Sequence, residues 1–386
     1  MRECKRRGAL VTLLTREATL GENWPRESID EIIALPARSA PEIIIQTLSE
    51  IGRHRRIDRL VALEEYDVIT AALAREHFCL GGMNGTTARN FRDKLAMRLA
   101  ARRRGILVPD FVHALNGEAV ADFLRRVPAP WMLKPRSDVS AVGIRKLLHH
   151  DDVWRAVVEL DARENSAERA SYFLLEQYLA GEVYHVDSLV RRGAVIFSAA
   201  SRYGRPPIEV AHGGGVFLSS SIKRESAEEK QLLAVNVDVL AALGLENGAA
   251  HAEFIRREED GRFYFLEVGA RVGGAFLAEM IEAGTGVNLW REWAQIELAS
   301  EEARIELSSP AEAQYSGIAL SLARQEYPDT SAYVDAEIAY RVNKRYHVGL
   351  IVRSPHAERV EELLAAYAAR FVDDFCAVLP PMQRPH

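Results

Sequence analysis

Two acids and the turn between them are the most chemically suggestive stretch of this chain. In HAEFIRREEDGRFYFLEVGARVGG, His251 to Gly274, Glu253 and Glu267 stand on opposite arms of a predicted β-hairpin. Phe254, Leu266 and Val268 supply apolar side chains at period two; His251, Glu253, Ile255, Phe265, Glu267 and Gly269 form the other set. The turn is Glu259-Asp260-Gly261. As a three-residue loop with Gly261 left-handed, it pairs 258 with 262 and therefore 253 with 267. The acids are then cross-strand neighbours, roughly 4.5 to 5.5 Å apart at Cβ, where like charges destabilise a sheet. A hard divalent cation between them resolves the conflict, since magnesium is commonly held by one or two carboxylates together with nucleotide phosphates. A two-residue Asp260-Gly261 loop would instead pair 253 with 268, send the acids to opposite faces and leave a solvated acidic hairpin.

The elements that must position these acids can be read from the rest of the chain. The first ninety residues alternate β-rich runs (ALVTLLT, EIIAL, DRLVALEE) with helices over Ala40 to His54 and through DVITAALAREHF. That is a parallel α/β layout. MRECKRRG reads as the last turns of a first helix closed by Gly8, so the first strand of the domain is expected to be missing. FRDKLAMRLAARRRG reads as a helix capped by Thr87 or Asn90 and ended at Gly105. PWMLKPRSDVSAVGIRKL reads as strand, loop and strand, followed by a helix from Asp151 to about Arg163. Further strands, a Gly-rich loop AHGGGVF and the helix SAEEKQLLAVNVDVLAALGL lead to the hairpin. After about Glu302 come three more strands and the helix AERVEELLAAYAARFVDDF.

Composition narrows the function classes. At 386 residues, 48% hydrophobic and 27% charged, the chain can build two or three compact units. A net charge of −6, with no aromatics interleaved among the arginine clusters, argues against nucleic acid. Three scattered cysteines, Cys4, Cys79 and Cys376, suggest neither a disulfide framework nor a thiolate metal site, and a reducing cytoplasm fits. The apolar runs are too short to span a bilayer, so no membrane partner is expected.

The order of FRDKLAMRLAARRRGILVPDF, WMLKPRSDVSAVGI, LLEQYLAGEVYHVD and HAEFI…FLEVGARVGG resembles the ATP-grasp superfamily, most of all its carboxylate-amine ligases. The likeness spans roughly residues 91 to 300. It implies an N-terminal parallel α/β domain over 1–90, an ATP-grasp domain of α+β type over 91–302 with a mobile lid at about 129–178, and a C-terminal α/β subdomain over 303–386.

The resemblance also assigns roles. With no Gly-x-x-x-x-Gly-Lys-Ser/Thr run, triphosphate must be held by side chains. Lys94 and Lys134 match the family's two phosphate-binding lysines. RSDVSAVG matches its phosphate-covering loop, with Ser137, Ser140 and backbone amides as donors, although it is poorer in glycine than usual. Glu176, Gln177, Tyr178 and Leu179 resemble the hinge that contacts adenine through main chain and a Glu side chain. A ribose-binding acid often stands at the position of Val183; His185 and Asp187, on the same face, are ranked above Glu182 for that role. Glu253 and Glu267 match the two magnesium ligands, and Gly269 replaces a third ligand, often Asn. Arg271 matches the arginine that steadies an acyl phosphate or substrate carboxylate, and Gly273 and Gly274 admit an anion to backbone amides. His212 is a candidate substrate contact; Arg202 and His347 rank lower.

ATP and magnesium or manganese are thus the implied cofactors, with a small carboxylate and an amine as substrates. The implied reaction is an ADP-forming ligation through an acyl phosphate, in which Lys134 and Arg271 are catalytic. A homodimer is the assembly common among such relatives. Two alternatives stay open at this point: a carboxylase-type enzyme forming carboxyphosphate, and a non-catalytic nucleotide-binding module.

Overall fold

The chain opens on α1 (Arg2–Arg6), ended at Gly8, where a φ of +82° suits a residue without a Cβ. β1 (Thr12–Arg16) and β2 (Glu31–Leu35) pair in parallel and lead into α2 (Pro41–His54) and α3 (Val68–His77). The computed structural model describes residues 1–36, 39–137, 143–163, 169–300, 302–307 and 313–377, without the side chains of 211 and 212. The strand expected at DRLVALEE does not form. Its alternating residues are used for packing instead: Leu60 and Ala62 join the cluster around Ala72, while Val61 and Leu63 pack against the central body.

α4 (Gly85–Arg89) and α5 (Lys94–Arg103) are two helices where the sequence suggested one. Asn84 caps the first. Asp93 caps the second, accepting the N–H groups of Leu95 and Ala96, in place of the expected Thr87 or Asn90. This cap places Lys94 at the first helical position.

β3 (Phe111–His113), α6 (Gly117–Arg126), β4 (Trp131–Pro135), β5 (Arg145–Leu147), α7 (His150–Asp161) and β6 (Phe173–Gln177) form a smaller unit around the antiparallel sheet β3-β6-β4-β5. One face of that sheet, with Trp131, Leu133 and Leu175, packs on Phe123 and Leu160 of the two helices. Alternation sends Met132, Lys134 and Glu176 to the other face. The unit begins at β3, earlier than the lid boundary of about 129.

β7 (Gly181–Arg191), β8 (Ala194–Tyr203), α8 (Pro207–Gly213), β9 (Phe217–Ser221), α9 (Ala227–Leu243), β10 (Asn247–Arg257), β11 (Phe263–Gly269), α10 (Leu277–Thr285), α11 (Leu289–Leu298), β12 (Tyr315–Leu322), β13 (Ile338–Arg341), β14 (His347–Ser354) and α12 (Ala357–Asp374) complete the chain. Their eight strands make one antiparallel sheet in the order β11-β10-β7-β8-β9-β12-β14-β13. The expected break near 303 is therefore not a break in the sheet, because β12 pairs directly with β9. One face is covered by α5 and α9, with Tyr184, Val186, Ala252 and Phe254 meeting Met97, Leu232 and Leu240. By alternation, Val183, His185, Asp187, His251, Glu253 and Ile255 occupy the opposite face of β7 and β10. Among the described residues no helix is long and apolar enough to cross a membrane.

Candidate active site

The two acids do face each other, by a route other than the one expected. Near the turn the partners are Arg256 with Phe263, Ile255 with Tyr264 and Phe254 with Phe265, one residue out of the anticipated register. Arg257 and Arg262 close the hairpin by an N–H to carbonyl bond of 3.0 Å, so the loop has four residues, with Gly261 at φ +66°. A β-bulge then inserts Leu266 and brings Glu253 opposite Glu267. The bulge also corrects the predicted faces. Phe265 and Val268 enter the core, and Leu266 packs with the site-face residues Ile255 and Tyr264.

Beneath the acids lies a buried polar network. Register places His185 beside Glu253 and Asp187 beside His251. Asp187 Oδ2 and Oδ1 meet Nδ1 of His185 at 2.7 Å and Nδ1 of His251 at 2.9 Å, while His185 Nε2 reaches Ser219 Oγ at 2.7 Å. Tyr203 donates to Glu253 Oε1 at 2.8 Å, with His251 Nε2 3.6 Å from the same oxygen. Burial alone would raise the Asp187 carboxyl, but the two imidazoles hold it well below its usual range. Burial pushes the His251 imidazole down; Asp187 and Glu253 more than reverse this and carry it up to about 10. At His185 burial prevails over Asp187 and the shift is downward. The three ligand-type atoms lie within 4.8 Å of one another, a spacing open to a metal, yet each is satisfied by its neighbours.

His185 and Asp187, the residues suggested for a ribose, are both engaged in this network. Both are fully buried, and the loop after β11 rests on Asp187 and its partner His251: a Cβ added at Gly273 would lie 2.6 Å from Asp187 Oδ1 and 3.0 Å from His251 Nδ1. Asp187 thus lies directly beneath the loop that follows β11. Glu182 lies on the opposite face of β7 from Val183 and pairs with Arg202 at 2.9 Å.

The lysines meet acids. Lys94 Nζ is 2.7 Å from Glu267 Oε2, and Lys134 Nζ is 2.7 Å from Glu176 Oε2. Burial would raise the Glu267 carboxyl, but Lys94, then Lys134, hold it down at about 2. Glu176 is fully buried and likewise depressed, with Arg98 and Lys134 overriding the cost of burial. Its carboxylate is thus committed to Arg98 and Lys134 inside the protein. In the hinge, Gln177 and Tyr178 donate their N–H groups to Asp110 and Pro130, while Lys146 lies 3.6 Å from the centroid of the Tyr178 ring. Leu179, Val183, Ile255 and Tyr264 form an apolar wall beside it, with Leu107 and Leu266 packed behind.

A third contribution comes from the N-terminal unit. Glu65 accepts from Arg271 Nε at 3.0 Å and Nη2 at 2.7 Å, and from Arg92 Nη1 at 2.8 Å. The same Glu65 Oε2 lies 3.2 Å from where a Cβ on Gly269 would stand. Past Arg271 the chain passes Gly273 and Gly274 and then Ala275 and Phe276, both left-handed at φ +52° and +59°. Two consecutive non-glycine residues in that region store strain of the kind found at functional loops.

The structure therefore brings together Lys94, Lys134, Glu176 to Leu179, Glu253, Glu267, Arg271, Gly273 and Gly274. Ser137 is exposed at the root of the lid loop, and its carbonyl accepts from Arg92. Ser140 lies outside the described residues, as does the His212 side chain, whose backbone falls in α8. Arg202 points away with Glu182 and Glu361, and His347 bonds the carbonyl of Arg345 at the start of β14. Sequence reasoning missed Glu65, Arg92, Arg98, Tyr203 and the Asp187 platform. Arg98 alone carried a signal: it is a charged residue on the buried stripe Lys94, Met97, Arg98, Ala101.

Residues 127–279 match the family model of the ATP-grasp domain. The chain is 25% identical over 287 residues to the L-arginine-specific L-amino acid ligase of Bacillus subtilis, a span of 72% of this chain and 67% of that protein. Its fold is similar to the crystal structure of L-amino acid ligase from Bacillus licheniformis, with a TM-score of 0.76 at 20% identity over 98% of this chain and 94% of that one. It is also similar to the biotin carboxylase domain of Hydrogenobacter thermophilus 2-oxoglutarate carboxylase, solved with MgADP and bicarbonate, at a TM-score of 0.71 and 16% identity over 97% and 86% of the two chains. Residues 127–279 are thus similar to an ATP-grasp domain, and the chain as a whole shares the fold of the L-amino acid ligase and biotin carboxylase structures.

Proposed function

We propose that the protein joins the α-carboxylate of one amino acid to the amine of another, using ATP and passing through an acyl phosphate. The observation that carries this reading is the pairing of Glu253 with Glu267, flanked by Lys94 and Lys134 and faced by Arg271 at the edge of a strained glycine loop. The cross-strand acids suit a divalent cation, with Glu65 beside Gly269 as the oxygen donor nearest the position of the family's asparagine. When bound, the cation offsets negative charge on the phosphates during transfer.

The chain's own residues account for the remaining work. Glu267 and Glu176 hold the two ammonium groups. Phosphate oxygens draw both lysines away and receive their charge during transfer. A substrate carboxylate competes with Glu65 for the planar fork of Arg271, which is then placed to stabilise the oxyanion formed when the amine attacks. The Asp187 and His251 platform holds Gly273 in the loop that follows Arg271. Closure of the lid excludes water, which would otherwise hydrolyse the acyl phosphate. Dispersed cysteines, all free, support a reducing compartment.

The test is ADP and phosphate release from ATP and magnesium across pairs of amino acids, with bicarbonate as a separate arm and Glu267→Gln as control. Release that requires two amino acids together and is lost in the variant is the expected result. Release with bicarbonate alone would transfer the protein to the carboxyphosphate-forming class.

A further inference from the structure

Arg98 follows Lys94 by one turn of α5 and is fully buried. A guanidinium out of water is costly unless its charge and donors are matched. Here its Nε lies 2.7 Å from Glu176 Oε1, and its Nη1 donates to the carbonyl of Leu266. Glu176, equally buried, holds Lys134 with its other oxygen at 2.7 Å. Leu266 is the extra residue of the bulge that sets Glu253 opposite Glu267. The extra residue of a bulge is left unpaired in its ladder and needs partners elsewhere.

We propose that Arg98 is a positioning residue whose guanidinium ties the bulge at Leu266 to the hinge carboxylate of Glu176, so that the paired acids and Lys134 are held in one geometry. It touches no substrate. Its reach decides the register of Glu267 on one side and the resting place of an ammonium on the other. Lysine would keep the charge beside Glu176 but lacks the fork needed to serve both partners.

This inference rests on the ligase reading for the identity of the site, so its test reads binding of manganese and ATP, which requires no amino acid. Three proteins are compared well below their melting temperatures: wild type, Arg98→Lys, and the double variant Arg98→Met with Glu176→Met, which removes both charges of the fully buried pair together and leaves only the part-exposed Lys134 without its acid. Expected for both variants is a native circular dichroism spectrum. Mn·ATP affinity should be weaker by about 10- to 100-fold, the size typical of losing a partner that orients ligands. In ligation assays KM for ATP rises while KM for the amino acids stays within about twofold. Either folded variant binding Mn·ATP within about twofold of wild type overturns the proposal, as does a wild type that takes up no Mn·ATP. Should Arg98→Lys not fold, the double variant decides. A wild type that binds Mn·ATP but ligates no pair of amino acids refutes the substrate reading while Arg98 is still judged by binding.

Discussion

At the scale of single residues, Gly273 shows how little room the site has. An added Cβ would meet Asp187 Oδ1 at 2.6 Å and His251 Nδ1 at 3.0 Å. Neither can yield, because Asp187 is buried and held from both sides by imidazoles. Gly273→Ala should therefore lift the loop that carries Arg271, at a stability cost of about 1 to 3 kcal/mol for overpacking. Displacement by about an ångström can lower turnover about a hundredfold. Nucleotide uptake is expected to survive, since Glu253 and Glu267 precede the loop. Gly274 meets nothing within 4 Å, so Gly274→Ala should melt like wild type. Melting curves alongside ADP release check both, and full activity in Gly273→Ala would show that the loop does not depend on the Asp187 platform.

At the scale of elements, the contact between β6 and α5 predicts an acid sensitivity. The Glu176 carboxyl is held below its ordinary 4.5 by Arg98 and Lys134 against the cost of burial. A folded pKa below the unfolded one adds stability that is present above about pH 4.5 and is lost as pH falls toward the folded value. Glu176→Gln should cost on the order of 3 kcal/mol at neutral pH by leaving Arg98 uncompensated. Its deficit against wild type should shrink below pH 4.5. Urea midpoints between pH 7 and pH 3 would show the two curves converging; parallel curves would mean that Glu176 is not ionised in the folded protein. This pair was only half legible in the sequence. The hinge strand could be placed from its apolar run, and α5 from its periodicity, but nothing in either segment says that Glu176 of the smaller sheet meets Arg98 of a helix packed on the larger one. The hairpin is similar. Counting back from a three-residue loop reached the right pairing of Glu253 with Glu267 because the true four-residue loop and the bulge at Leu266 cancel. A bulge has no composition signal of its own, so Phe265 was assigned to the wrong face.

At the scale of the whole molecule, three consecutive residues join the units around the site. Arg92 binds Glu65 of the N-terminal unit and the carbonyl of Ser137 at the root of the lid loop; Asp93 binds Arg136 of the lid; Lys94 binds Glu267 of the central sheet. Glu65 is where this junction meets the chemistry, and it lay beyond sequence reasoning because some two hundred residues separate it from Arg271. Its Oε2 stands 3.2 Å from where Gly269 would carry a Cβ. Glycine at 269 and glutamate at 65 therefore fill one space between them. If Glu65 supplies the oxygen that Gly269 does not, Glu65→Ala should raise the magnesium needed for half-maximal ADP release by about tenfold or more, in line with loss of a ligand or its close partner. The vacated space would then accept a side chain at 269, so Glu65→Ala combined with Gly269→Asn should recover part of that requirement, whereas Gly269→Asn alone should clash with Glu65. Melting temperatures separate this from simple loss of the Arg92 ion pair, which both Glu65→Ala proteins share. An unchanged magnesium requirement in Glu65→Ala would reduce Glu65 to a clamp that holds Arg271 until substrate arrives, and the double variant would then show no recovery.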